Sequence, residues 1–482
     1  MNKSLGKRPL RIRIMKSNKL YDKNWFWLGV ALIVFLVNQL PFLADMRGMG
    51  NDESWYANVA FNLSKGNGLY NTSVGYGGNG NCFAAAMEAL AFRIFGYSLF
   101  SVRIASVFCG LVTLVIMHFV IDELRVSSKG RALAFLLFVS LPVFNTAYRF
   151  GRPEGAALMC LSGGIFFYLR YWRTNKWSDV LGLCLFCFLS TIAHPFALFS
   201  FMFMGFALLS ELLRNREWKR WIHLSLFVIT AIVGVCFVAW LATVYNPDIG
   251  GSIFERASPR NAFNAALVYY KDIFFSRYAL YSYPIVALLV CSGCFIKENR
   301  LRILAWLTLV NGLLFPFVFS TDVVMLPFGW HYVVIVAVFL VGPLFDSLST
   351  QEQRFRKLAF VGAVFYSFVC LVLSYVYNIT KYEKCNSVME KELASKIPQG
   401  SLVYGPICQY FCAIDTRYYS DHYYTDLPLQ LDFDYLIFNS RDLPLYPMSL
   451  EIYHRIPDYD LIYSRDTKQY GTVKVFQRKA EK

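Results

Sequence analysis

Hydrophobic residues in this chain fall in runs of about twenty, the length of a membrane-crossing helix, and polar residues are confined to the gaps between them. The pattern predicts about eleven spans, over 25–44, 98–121, 131–148, 154–172, 178–193, 196–213, 222–245, 278–296, 301–320, 328–346 and 358–378. Two segments change the period. Around Asp52 to Leu63, Trp55, Val59, Ala60 and Leu63 recur at helical spacing on an otherwise polar stretch, which predicts an amphipathic helix in the membrane interface. From residue 381 the apolar runs stop and strand-like alternation begins, at Leu402-Val403-Tyr404, Asp434-Tyr435-Leu436-Ile437-Phe438 and Val473-Lys474-Val475-Phe476, with a helical stretch at Ser387 to Lys396. The fold class that follows is an α-helical polytopic membrane protein over 1–380, carrying a small α/β domain over 381–482.

Charge orients this array. The basic residues cluster in alternate gaps: Arg125, Lys129 and Arg131; Arg170, Arg173 and Lys176; Arg214, Arg216, Lys219 and Arg220; Lys297, Arg300 and Arg302; Arg354, Arg356 and Lys357. Cytoplasmic loops carry such an excess, so the N-terminus is expected in the cytoplasm and the C-terminal domain outside it. This alternation depends on a break at His194-Pro195; one merged helix there would invert everything downstream. Lys3 to Lys23 is basic, but the apolar run after it is long and lacks a small-residue cleavage site, so it is read as a retained helix. The formal net charge of +15 therefore reflects membrane orientation and not nucleic-acid binding.

Twelve cysteines are scattered along the chain. Cys184 with Cys187 and Cys291 with Cys294 have redox or metal spacing, but they lie inside apolar runs without acidic or histidine partners, as small apolar fillers do. Cys385, Cys408 and Cys412 fall in the tail, where a disulfide is permitted.

Three regions are expected on the outer face: the loop 45–97, rich in Gly from Gly75 to Gly80; the loop 246–277, with Glu255, Arg256, Arg260, Lys271, Asp272 and Arg277 among aromatics; and the tail. The ionisable residues nearest the bilayer collect on that same side: Asp52 and Glu53, Glu88, Arg149, Arg152 and Glu154, His194, Asp322 and His331. Helix centres hold almost none, whereas an ion-coupled transporter needs charge or broken helices at mid-membrane. Each residue also has a plain structural reading. Asp52 suits a helix N-cap, Arg149 and Arg152 suit headgroup anchors, His194 suits a loop histidine bonded to backbone, and His331, between Trp330 and Tyr332, suits an aromatic belt.

Taken in order, Asn51-Asp52-Glu53-Ser54-Trp55-Tyr56 after the first span, Phe95-Gly96-Tyr97-Ser98-Leu99-Phe100-Ser101-Val102-Arg103 leading into the second, Arg152-Pro153-Glu154, and Thr191-Ile192-Ala193-His194-Pro195 resemble the GT-C superfamily of polyprenyl-phosphate-dependent glycosyltransferases. The likeness is especially to the branch related to protein O-mannosyltransferases and lipid A aminoarabinose transferases. The resemblance implies that Asp52 is the catalytic base, that Glu154 helps organise the site with Glu53 beside Asp52, and that His331 falls where relatives place polar residues for a metal or the donor phosphate. Arg149 and Arg152 are candidate phosphate ligands because planar guanidinium groups match its oxygens. The resemblance also implies that Glu88 and His194 are candidate donors for a divalent metal ion, the one cofactor considered.

The chemistry is coherent on its own terms. A sugar on a polyprenyl phosphate already has a leaving group, so the protein must deprotonate an acceptor hydroxyl and stabilise the departing phosphate. A carboxylate does the first and planar guanidinium groups suit the second. The expectation is an integral bacterial inner-membrane glycosyltransferase that works on the periplasmic face with inversion. Its partners would be a polyprenyl-phosphate sugar, a lipid, glycan or protein acceptor, and membrane lipids. The alternatives are a transporter or lipid flippase with Arg149 and Arg152 as a headgroup site, and a scaffold whose tail binds a partner.

Overall fold

A computed structural model describes residues 25–45, 52–77, 81–215, 217–245, 259–276, 279–318, 329–348, 353–382, 385–423 and 425–480. The basic N-terminal stretch to Lys23, Asp322, Glu255, Arg256 and Arg277 lie outside them. The first ten helices are α1 Phe26–Gln39, α2 Asp52–Lys65, α3 Cys82–Phe95, α4 Leu99–Glu123, α5 Ser128–Ser140, α6 Pro142–Arg149, α7 Glu154–Thr174, α8 Trp177–Ala193, α9 Ala197–Asn215 and α10 Trp218–Tyr245. Helices Pro259–Phe275, Ala279–Phe295, Asn299–Val318, Trp330–Leu348 and Gln353–Thr380 complete the bundle.

Each of the eleven predicted runs is helical. By length and apolar content alone, five described helices reach a membrane-crossing run, and up to seven do if each bent pair counts as one span. Length accounts for α1, whose 14 residues reach about 21 Å at 1.5 Å per residue, short of a hydrocarbon core about 30 Å thick. The expected span 131–148 is two helices, α5 and α6, bent by 58°. Leu141 is extended and Pro142 opens α6, because proline cannot donate to the preceding turn and disfavours helix in the residue before it. The break at His194-Pro195 holds, with His194 extended between α8 and α9.

One end of the bundle is knit by ion pairs from the basic gaps. Arg131 meets Asp122 at 2.5 Å, Arg300 and Arg220 converge on Glu211 at 3.1 and 3.7 Å, and Arg173 pairs with Glu123. The other end carries α2, α3 and the C-terminal domain. α2 differs from the expected interfacial helix: Glu53, Ser54, Ala57, Asn58, Val59, Ala60, Phe61, Asn62 and Ser64 are all buried. It is sandwiched between α3 and the 3₁₀ segment Ile407–Ala413 of the tail, with Ala57, Ala60 and Phe61 sharing one apolar cluster with Tyr410 and Phe411. Its polar face is satisfied internally, because Asn58 Oδ1 accepts from the Thr72 N–H at 2.9 Å and Asn62 Nδ2 donates to the Tyr70 carbonyl at 2.9 Å.

Two short strands, β1 Tyr70–Asn71 and β2 Tyr76–Gly77, pair antiparallel beyond α2. The tail folds as the helix Cys385–Ala394 and a mixed sheet of β3 Leu402–Gly405, β4 Arg417–Ser420, β5 Tyr435–Asn439, β6 Tyr459–Thr467 and β7 Gly471–Arg478, in the order β4-β3-β5-β7-β6. The three predicted strand runs became β3, β5 and β7. β4 and β6 were missed: Arg417-Tyr418-Tyr419-Ser420 is polar at both ends and lacks an aliphatic residue, and β6 is mostly polar on an edge, with a register shift at Leu461/Tyr463. Cys408 and Cys412 are thiols, and Cys184 and Cys187 are buried in the apolar core, as fillers are.

Candidate active site

Asp52 and Glu53 open the first turn of α2, where carboxylates complement the positive end of the helix dipole. Their side chains then diverge. Glu53 is enclosed, 2% exposed, and forms a two-point ion pair with Arg103 of α4: Nε donates to Oε1 at 2.8 Å and Nη2 to Oε2 at 2.7 Å. The Gly151 N–H donates to the same Oε1 at 2.9 Å, and Arg103 Nη1 reaches the Leu43 carbonyl at 2.7 Å. A side chain at 151 would strike Val102, so glycine is what lets the 150–153 turn approach this pair. Glu53 therefore joins α2, α4 and that turn. With both oxygens so engaged, its expected catalytic role gives way to a framing one.

Asp52 keeps 30% of its side chain exposed and pairs with Nη1 of Arg152. The same guanidinium meets Glu154 at the start of α7, Nε at 3.1 and 3.2 Å and Nη2 at 2.8 Å. One cation thus bridges two carboxylates, one buried and one reaching the surface. Burial raises Asp52 above the usual aspartate range, opposed by Arg152 and reinforced by the nearby charges of Glu154 and Glu53.

Arg149 is also placed differently from the expected phosphate ligand. It is buried, with Nη1 donating to the Asn38 and Gln39 carbonyls at 2.8 Å each and Nη2 donating to Pro41. These are orphan carbonyls at the C-terminal end of α1, where a cation also suits the helix dipole. Its guanidinium is engaged in closing that helix.

His194 and His331 lie close enough to Glu154 to act on it electrostatically, so residues far apart in sequence gather around one carboxylate. His194 Nδ1 takes the Phe196 N–H at 3.2 Å, which matches the plain backbone-bonded reading, and its ring stands 6.4 Å from Tyr332. Burial, with Glu154 opposing, pushes the His194 imidazole down to about 4, which keeps it neutral. Glu88 in α3 is 3% exposed and is pushed well up by burial, then by Glu53 and Glu154. It lines a narrow cavity with Trp55, Tyr56, Asn81 and Pro153. Among the described residues no group of three or more His, Cys, Asp or Glu is placed to hold a metal ion.

In the sequence Arg103 stands only as the last residue of the segment leading into α4, with no role announced. A lone cation at the start of an apolar helix is the signal that would have found it, since such a charge needs a partner. Glu390, in the helix Cys385–Ala394, gave no signal. It sits near Arg103 and is pushed up to about 8, chiefly by burial.

Residues 82–240 match the family model described as dolichyl-phosphate-mannose-protein mannosyltransferase. No curated protein matches the chain. Among solved structures, ArnT from Cupriavidus metallidurans bound to undecaprenyl phosphate aligns with a TM-score of 0.63 at 15% identity, covering 93% of this chain and 97% of that one. The apo form of the same protein aligns with a TM-score of 0.62 at 14% identity, over the same shares. This chain is an integral membrane protein whose residues 82–240 are similar to the mannosyltransferase family model and whose fold is similar to that of ArnT over 93% of its length.

Proposed function

We propose that the protein moves a sugar from a polyprenyl-phosphate carrier to an acceptor hydroxyl, with Asp52 as the general base. One observation carries this reading: in a cluster of otherwise buried charges, the Asp52 carboxylate is partly open, at a helix N-terminus and against an arginine. The solved relative bound to undecaprenyl phosphate supports a lipid-phosphate donor for this fold.

In the proposed reaction, the acceptor oxygen attacks the anomeric carbon as its proton passes to Asp52. The bond from that carbon to the phosphate oxygen breaks, and the polyprenyl phosphate leaves with the electron pair. Attack opposite the leaving group inverts the anomeric centre. Arg152 meets the phosphate, with His331 beside it. Phosphate competing for this guanidinium loosens its hold on Asp52, so donor binding makes the carboxylate a better base. Glu154 keeps Arg152 in place during the exchange. No step is routed through a metal. The basic gaps and the shared side of Asp52, Glu154 and the tail support a site on the periplasmic face of a bacterial inner membrane.

The test adds radiolabelled polyprenyl-phosphate sugars to purified protein in lipid, with lipid, glycan and protein acceptors. Asp52→Asn keeps the shape and the capping capacity but cannot take a proton at neutral pH. Transfer is expected to fall by about two orders of magnitude or more. Transfer at the wild-type rate sinks the assignment.

A further inference from the structure

The end of the bundle opposite Asp52 holds a second set of charges that glycosyl transfer does not use. α9 begins just after His194 and reaches that end at Glu211, a carboxylate 6% exposed. Two arginines converge on it: Arg300 Nε donates to Oε1 at 3.1 Å, and Arg220 Nη1 stands 3.7 Å from Oε2. Arg300 also donates to the Trp172 carbonyl at 3.2 Å. Lys219 adds a third cation at the rim, its ammonium donating to the Asn175 carbonyl at 3.2 Å. The acids facing these cations are Glu211 and Glu217, and Glu217 is 51% exposed, where its pair with Arg220 at 3.0 Å neutralises little. Positive charge is left over.

Neighbouring aromatics set the depth of this cluster. Trp177 packs on the His223 ring with centroids 4.4 Å apart, and the exposed Trp218 and Trp221 flank Arg220 in sequence. Tryptophan collects where headgroups meet hydrocarbon. The side chains of Arg220 and Arg300 are 21% and 29% exposed, so an anion in the headgroup layer can reach them. One turn further along α10 the character changes. Leu224 lines the small polar chamber that holds Glu211, Arg220 and Arg300, and it also lines a groove of about 450 Å³ between α9 and α10. The groove is walled by apolar residues, among them Gly205, Phe206, Ala231 and Ile232, and the exposure of Phe206 and Ile232 opens it to the lipid side. Its volume is that of a ligand site.

We propose that this corner of the bundle binds an anionic phospholipid in the leaflet opposite the Asp52 cluster, its phosphate on Arg220 and Arg300 and one acyl chain in the α9–α10 groove. The order along α10 is the order of the ligand: cations at headgroup level, then an apolar groove of chain dimensions beneath them. Basic pockets between membrane helices recognise anionic headgroups in this way, and a guanidinium fork matches phosphate oxygens. A free phosphate would use the arginines and leave the groove idle. Because the cluster joins α7, α9, α10 and the helix Asn299–Val318, a phosphate that offsets its surplus charge braces four helices. The site is independent of the transfer reaction at the other end.

The experiment follows the Tm of the full-length protein in a neutral detergent as phosphatidylglycerol, phosphatidylcholine or inorganic phosphate is added, and counts by mass spectrometry the lipid retained after gel filtration. Phosphatidylglycerol is expected to raise Tm in a saturable way, since a ligand bound only by the folded state stabilises it, while the other two leave Tm where it was. Arg220→Gln should weaken the phosphatidylglycerol response about fivefold. Ala231→Phe, which fills the groove and leaves the cations alone, should lower the lipid retained. Each variant's Tm before lipid is added separates folding from binding, and if Arg220→Gln does not fold, the exposed Lys219→Gln carries the same test of charge. An equal rise with phosphatidylcholine overturns the proposal, because the lipid is then bound without regard to charge. So does a full rise with inorganic phosphate, which marks an anion site without a chain, and so does wild-type binding in the folded charge variant or in Ala231→Phe. Asp52→Asn should bind phosphatidylglycerol as the wild type does, which keeps this outcome separate from that of the transfer assay.

Discussion

Asp52 and Glu53 are neighbours in the chain and opposites in the fold. Glu53 is sealed with Arg103 between α2 and α4, both of its oxygens bonded, while Asp52 shares Arg152 with Glu154 and still meets the surface. The difference teaches that an acidic pair in sequence is not a functional unit. A helix turns about 100° per residue, so adjacent side chains face different neighbours. Burial with a full set of partners makes a carboxylate a structural pin; partial exposure with a shared partner leaves it able to exchange a proton.

The largest expected effect is on the sealed pair. Arg103→Ala leaves Glu53 buried without its cation and should destabilise the protein by about 3–5 kcal/mol, read as a lowered Tm in detergent. An unchanged Tm would erase the contrast between the two acids. Next comes the open centre, where Asp52→Asn should cost about a hundredfold or more in transfer with little change in Tm. Because burial raises the Asp52 carboxyl and a base must be ionised to act, the acid limb of the rate should fall at higher pH than an ordinary aspartate gives, and Asp52→Asn should abolish that limb. Glu53→Gln should lose activity only in step with folded protein.

Arg149 extends the same comparison to the cations. Arg149→Ala should lower stability by about 1–3 kcal/mol by taking the donor from the Gln39 and Pro41 carbonyls, while the protein that folds binds polyprenyl phosphate as before. Arg152→Lys should do the reverse, weakening donor binding because an ammonium lacks the fork of a guanidinium. Weakened donor binding in folded Arg149→Ala would return Arg149 to the phosphate. A further expectation concerns Glu390, whose carboxyl burial pushes up to about 8 from an ordinary 4.5. A raised folded-state value means the stability it contributes is complete below about 4.5 and is lost as pH rises through about 8. The helix Cys385–Ala394 should therefore loosen progressively as pH rises from about 4.5 to about 8, and Glu390→Gln should flatten that dependence in a pH series of thermal unfolding.

Much of the architecture was legible because it follows from local periodicity. Runs of apolar residues became helices at every expected position, the His194-Pro195 break separated α8 from α9, and three alternating runs became β3, β5 and β7. Asp52, Arg152, Glu154, His194 and His331 were singled out because charges beside a membrane need a reason, and the fold gathers them at one end. The bend at Pro142 was written in the sequence and passed over because apolar content continues through it.

What only the tertiary structure decided is which partner each charge meets. Nothing near Glu53 in sequence announces Arg103, fifty residues on, and nothing near Arg149 announces the carbonyls that end α1, because both pairings are made by helix packing. The burial of α2 was hidden for the same reason: its polar face reads as solvent-facing until the tail and the 70–72 turn cover it and supply its hydrogen bonds. Sequence periodicity records what each segment does with its own backbone and its apolar face. The exposure of a carboxylate, and with it the choice between pin and base, depends on distant segments arriving at the same place.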